Sequence, residues 1–266
     1  IEAQDVANSG WNYTSTSSYV TLSFWARSSK AGTYCVYIDS QDAATYEKYV
    51  KEYTLVAGTW KRVEITVPGK STLAYNNDNG EGIFAFWALS AGSSRNGSTD
   101  ATWETGSNVA TSNQVNFFDS TSNDFYLTGV QLEVGQVATP FEHRSYGDEL
   151  ARCQRYYQVC IRNEEFVTSC VNSASGANTG LAFVNEMRVA PTVTLATAGS
   201  SAGNIAFLTT VGNTPSTIGS HQALSITTYG FRFRASGYSA SGWTAGAASN
   251  VYAYNTATVY TASAEL

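Results

Sequence analysis

Apolar and polar residues alternate with a period of two along much of this chain, the period of a half-buried β-strand. In Tyr19–Arg27 (YVTLSFWAR), Leu22, Phe24 and Ala26 share one face, and Ser23, Trp25 and Arg27 the other. In Trp60–Val67 (WKRVEITV), Val63, Ile65 and Val67 turn inward and Arg62, Glu64 and Thr66 outward, and Pro68-Gly69 ends the strand. Thr33–Ile38, Gln114–Phe118 and Phe125–Glu133 read as further strands. Gly82–Leu89 is continuously apolar, which predicts a central strand covered on both faces.

Beyond residue 162 the strand candidates are Gly180–Phe183, Met187–Thr197, Ile205–Thr210, Leu224–Arg234, Asn250–Tyr254 and Thr258–Leu266. Between the two β regions, Ser145 is placed to cap a helix, with Asp148 three residues on. Leu150, Cys153, Tyr157 and Cys160 then fall at i, i+3, i+7 and i+10, the spacing of one apolar helical seam. The pattern predicts an all-β protein: a β-sandwich over 1–144, a linker helix over 145–161 and a C-terminal sandwich-like β domain over 162–266. No repeat of the length that marks solenoids is present.

Composition narrows the function. Apolar residues make up 43% of the 266 and charged ones only 14%, with 17 Tyr, 12 Phe and 22 Gly. The net charge of −6 argues against a nucleic-acid partner held through phosphates. No apolar run reaches the length of a membrane-spanning helix. The chain opens on Ile1 rather than Met, as a fragment or processed product does. All five lysines precede residue 71, and Gln158–Leu266 carries only four arginines and four glutamates. Such a stretch would be disordered but for its alternating aromatic strands, which point to a packed domain that buries surface in an oligomer. Cys35, Cys153, Cys160 and Cys170 form no metal-ligand spacing and read as buried free thiols.

Candidate chemistry is sparse. Two histidines, His143 and His221, offer no nucleophilic triad, and the motifs of phosphate loops or zinc proteases are absent from the sequence. Asp78, Glu81, Asp100 and Glu104 are the only loop acids close enough in sequence to suggest a glycosidase pair, and solvated loop acids are the simpler reading. Loop oxygens of Asn76 and Asp78 could hold no more than a structural calcium, so neither cofactor nor catalytic metal is expected.

Glycan binding needs exposed aromatic faces flanked by amides or carboxylates, because sugars present apolar C–H faces and many hydroxyls. Trp103, in a Gly/Ser/Thr-rich loop, and Trp25, on the polar face of its strand, are candidates, whereas Trp87 reads as core. The Gly/Ser/Ala-rich stretch 235–250 carries Tyr238 and Trp243 and resembles a binding loop, with Arg232 and Arg234 nearby.

Asp124–Gln158 reads DFYLTGVQLEVGQVATPFEHRSYGDELARCQRYYQ. It resembles the junction segment of bacteriophage tail-fibre and related virion proteins, in which a jelly-roll strand FYxxGVQLEVG leads through ATPFEHRSYGEEL to a helix ending CQRYYQ. Gln136, Asp148 and Arg152 depart from that pattern. MRVAPTVT and the terminal YTASAEL are similar to further elements of the same proteins, and the first β region is similar to jelly-roll carbohydrate-binding modules.

The resemblance implies a trimeric tail fibre that attaches to host-surface polysaccharide, assembled in the host cytoplasm and carried on the virion with other virion proteins. On that implication the seam at Leu150 is a trimer neck. A capsid decoration or head-fibre protein without receptor binding is the alternative, and a depolymerase tailspike the next.

Overall fold

The structure is a computed structural model that describes residues 1–42, 45–173, 176–196, 205–209, 215–216, 220–236 and 248–265. For 162–173, 176, 205–209, 215–216 and 248–258 it describes the strand path alone. Its contacts divide the chain into two compact units, Ile1–His143 and Arg144–Leu266. Both are built almost wholly of antiparallel strands, so the all-β expectation holds.

The first unit opens with a short helix, α1 (Ala3–Ala7), followed by β1 (Tyr19–Ser28), β2 (Gly32–Ser40), β3 (Glu47–Leu55), β4 (Lys61–Pro68), β5 (Ile83–Ala88), β6 (Thr102–Thr105) and β7 (Phe125–Val134). They form a three-stranded sheet, β4-β1-β7, and a four-stranded sheet, β5-β2-β3-β6. The two share one core, so the unit is a sandwich. Phe24 of the first sheet meets Tyr53 and Trp87 of the second edge-on, at ring separations of 5.3 and 5.4 Å. Leu22, Phe24, Ala26, Val63, Ile65 and Val67 are buried where the alternation places them.

Three readings need correction in this unit. Gly82–Leu89 does not yield a central strand covered on both faces: β5 is an edge strand, and Phe86 on it is 43% exposed. Continuous apolarity arises there because one face packs into the sandwich while the other carries exposed rings. Gln114–Phe118 is not a strand, since it makes a single bridge from Gln114 to Thr33 and enters a 3-10 turn at Phe117–Asp119. Trp103 is not a loop residue: it lies on β6, and its indole Nε1 donates to the Pro68 carbonyl at 2.7 Å.

The second unit holds α2 (Tyr146–Gln154), β8 (Tyr157–Ser173), β9 (Gly176–Ala182), β10 (Thr192–Leu195), β11 (Ile205–Thr209), β12 (Pro215–Ser216), β13 (Ser220–Leu224), β14 (Gly230–Ser236) and β15 (Ala248–Ser263). All eight strands join one sheet in the order β12-β11-β15-β8-β9-β14-β13, with β10 paired to β15. The sheet curls until the His221 Nε2 on β13 meets the Ala196 carbonyl just past β10. Phe231, Phe233, Val259, Tyr260 and Met187 fill the space enclosed.

Ser145 caps α2 as expected, its hydroxyl accepting from the Asp148 N–H at 3.2 Å. The helix, however, stops at Gln154, and Tyr157 already pairs with Ser263. The expected seam is therefore split, with Leu150 and Cys153 on the helix and Tyr157 and Cys160 on β8. The alternating run Tyr157, Val159, Ile161 is strand chemistry that outcompetes helix continuation. Leu224–Arg234 is likewise two strands rather than one, broken at Ser225, whose φ of 50° is left-handed.

Candidate functional site

The outer faces of the two sheets differ in how they are covered. On the three-stranded sheet, the chain leaving β7 folds back as a strap over residues 135–142. The Thr21 hydroxyl donates to the Gly135 carbonyl at 2.8 Å and that of Thr66 to the Gln136 carbonyl at 3.2 Å. The Arg62 guanidinium donates to the Thr139 carbonyl. Glu133 accepts from both the N–H and the hydroxyl of Thr139. The Gln131 side-chain oxygen Oε1 accepts from the Glu142 N–H at 2.7 Å.

Gln131, Glu133, Thr139 and Glu142 of the junction motif are thus partners of one another within the first unit. Trp25 is 41% exposed, but its ring and that of Phe141 both close on Gly129, which has a φ of 59°. A Cβ there would stand 3.3 Å from the Trp25 ring, so bulge and ring together require glycine. Trp25 is thereby the seat of the strap.

The four-stranded sheet presents a different face. Its outward positions are set by register: Tyr37 lies opposite Phe86 on β5, and Asp39 lies opposite Phe84 on β5 and Lys48 on β3. Lys48 in turn lies opposite Glu104 on β6. The segments on either side of β6 reach one end of this face, where Cys35, Val50, Ala88 and Ala110 form a small closed cluster. The other end carries rings. Tyr37 and Phe86 stack with centroids 4.9 Å apart and planes at 17°, and Phe84 meets Phe86 edge-on at 5.5 Å.

Charge accompanies the rings. The Lys48 ammonium sits 6.0 Å from the Tyr37 ring centroid, 4.0 Å from Asp39 Oδ2, and donates to the Gly106 carbonyl at 2.8 Å. Asp39 is buried, and burial pushes its carboxyl up against the opposing pulls of Lys48 and Gln41. The Tyr37 hydroxyl is raised by burial and by Asp39, with Arg95 pulling the other way. Among the described residues, two carboxylates keep a buried oxygen with no hydrogen-bond partner, Asp39 Oδ1 and Glu104 Oε1. They flank the same lysine.

The predicted site residues are dispersed. Arg232 and Arg234 are exposed on β14, while Tyr238 and Trp243 lie outside the described residues. Trp103 packs against Tyr49 at 5.5 Å, with its indole N–H satisfied, and is not an exposed platform. Trp87 packs against the core as read. Of the proposed acid cluster, Asp100 is held by Lys51 at 2.6 Å and by the Glu52 N–H at 2.8 Å, and Asp78 Oδ1 accepts from the Gly80 N–H.

Asn76 gives both its N–H and its side-chain amide to Asp42. These are loop-bracing roles. Cys35 is buried, but Cys153 is exposed and Cys160 half-buried, so burial of the thiols holds for Cys35 only among these three.

The aromatic face was missed in the sequence. Its signals were the spacing of Tyr37 and Asp39 on one strand and of Phe84 and Phe86 on another. No protein-family model matches this chain, and no curated protein matches it.

Proposed function

We propose that this chain is an attachment protein of a bacteriophage virion, a tail fibre that holds host-surface polysaccharide on the outer face of its N-terminal sandwich. The observation that carries the reading is the stacked pair Tyr37–Phe86 beside the buried carboxylate of Asp39. An exposed ring offers an apolar seat for the C–H face of a sugar, and the polar side chains of Asp39 and Lys48 flank it. The resemblance of 124–158 to phage fibre junctions supports the virion setting. In this reading the chain does no covalent chemistry.

Single glycan sites bind weakly, and a fibre gains strength by repeating them. The reading therefore takes the chain as a homotrimer. Leu150, Tyr157, Val159 and Ile161 are 40%, 45%, 44% and 54% exposed and supply an apolar stripe for contact between copies.

The test is an array of bacterial surface polysaccharides probed with the labelled full-length chain and with its Phe86→Ala variant. The reading expects retention on a subset of spots that the variant loses while its melting temperature stays within a few degrees. Equal retention by both proteins, or none by either, would refute it.

A further inference from the structure

The outer face of the three-stranded sheet carries one row of exposed rings around an arginine. The rows nearer the strap are committed to it. Thr21, Thr66 and Glu133 stand in register and each bonds to the strap, and Arg62, opposite Trp25, donates to the Thr139 carbonyl. Two residues beyond Trp25, Arg27 lies opposite Tyr126 on β7. Trp60, the residue before β4, reaches the same row from the other side, with its ring 6.3 Å from that of Tyr126. Trp60 is 44% exposed and Tyr126 46%.

Arg27 gives the row its charge. Its guanidinium carbon sits 5.6 Å from the Tyr126 ring centroid, and its Nε donates to the Gly58 carbonyl at 2.8 Å. These contacts hold the guanidinium and leave its two amino groups, Nη1 and Nη2, as donors. Arg27 forms no ion pair among the described residues: Glu64 is taken by Arg62 at 3.1 Å, and Asp124, two residues before Tyr126, makes no ion pair with it.

A held arginine beside exposed rings suits one ligand chemistry. The guanidinium fork matches a carboxylate bidentately, and the rings take the C–H face of a pyranose. A stable protein interface takes about 20–30 residues a side, whereas this row is three side chains bounded on one side by the strap.

We infer that Trp60, Arg27 and Tyr126 form a second glycan site, one for acidic sugars of the uronic or sialic acid class, in which Arg27 holds the carboxylate and the two rings seat the pyranose. The site goes beyond the one at Tyr37 and Phe86. It lies on the other sheet of the sandwich and shares no residue with the first.

The experiment titrates the full-length chain by calorimetry with tetragalacturonic acid, tetrasialic acid, mannotetraose and tetraglutamate. At least one of the two acidic sugars should bind, and Arg27→Gln should weaken it by about tenfold or more, the loss of charge-assisted hydrogen bonds to its carboxylate. Trp60→Ala should weaken the same probe through loss of the seat, and it serves as the second variant should Arg27→Gln disturb the fold. Phe86→Ala should leave that binding unchanged.

Acidic sugars held equally by the Arg27→Gln and Trp60→Ala variants, or lost on Phe86→Ala, would overturn the inference while leaving the first site standing. Failure of both acidic sugars to bind would overturn it as well, and mannotetraose bound by the chain and lost on Phe86→Ala would still uphold the first site. Tetraglutamate bound as tightly as the acidic sugars would overturn it in favour of an acidic peptide.

Discussion

Tyr37 and Phe86 stand directly opposite each other on β2 and β5, their rings stacked 4.9 Å apart on the outside of the four-stranded sheet. The pair is placed by register alone: an outward Tyr on an inner strand meets an outward Phe on the edge strand. Tyr37 leans on the small cluster of Cys35, Val50, Ala88 and Ala110, while the sandwich interior is filled by Tyr34 and Tyr53 from the other face of this sheet and by Phe24 from the facing sheet. Phe86→Ala should accordingly leave stability nearly unchanged, within about 1 kcal/mol by urea denaturation. The same change should weaken glycan binding by about tenfold or more, the contribution of one stacked ring.

Phe24→Ala provides the contrast. Phe24 is fully buried and makes edge contacts with Tyr53 and Trp87. Its truncation leaves a cavity between the sheets and should cost about 3–5 kcal/mol in the unfolding of the first unit.

Asp39 should reveal itself in the pH dependence of stability. Its folded pKa lies above the ordinary carboxylate value, chiefly through burial. The folded state therefore holds the proton more tightly than the unfolded chain does. That stabilising contribution is present at low pH and is lost as pH rises through the folded pKa. Asp39→Asn should be more stable than the natural chain at pH 7, by about 1 kcal/mol. The difference should shrink as the pH is lowered through the carboxylate range.

The strap behaves in the opposite sense. Burial pulls the Glu133 carboxyl up, but hydrogen bonds from Gln131 and Thr139 and the charge of Arg62 outweigh it and leave the pKa lowered. Its contribution is present above the unfolded carboxylate value and is lost as pH falls through the folded one. Amide protection over 136–142, taken relative to the intrinsic exchange rate at each pH, should be high at neutral pH and fall at acid pH. Glu133→Ala should lower it at neutral pH by loosening the strap by about 1–2 kcal/mol.

How far the sequence carried this account depends on the competition at each element. Strands β1 and β4 were legible because one face of each is apolar throughout, and period two leaves no ambiguity there. The 150–161 stretch was not. A sound cap at Ser145 and apolar residues at helical spacing predicted a continuous helix, yet Tyr157, Val159 and Ile161 also alternate, and pairing with β15 favours the strand. β5 was misread because an edge strand carrying an aromatic site has the same composition as a buried central one. The polar residues of the junction motif stood out in the sequence, but their role as strap partners depends on the chain folding back.

Self-association should depend on residues from both α2 and β8. Leu150 on α2 and Tyr157 on β8 are both exposed, whereas Cys160 on the facing side of β8 is packed against the core. Leu150→Asp with Tyr157→Asp should reduce the sedimentation mass to that of a single chain, with the β-sheet circular dichroism retained.

The most direct test of the central claim is an NMR titration of the isotope-labelled full-length chain with cellotetraose and mannotetraose. The account predicts saturable shifts concentrated at Tyr37, Asp39, Lys48, Phe84 and Phe86 and absent around Trp25 and Trp103. Shifts concentrated on the Arg232–Arg234 strand, or no saturable shift on the four-stranded sheet with either sugar, would contradict it.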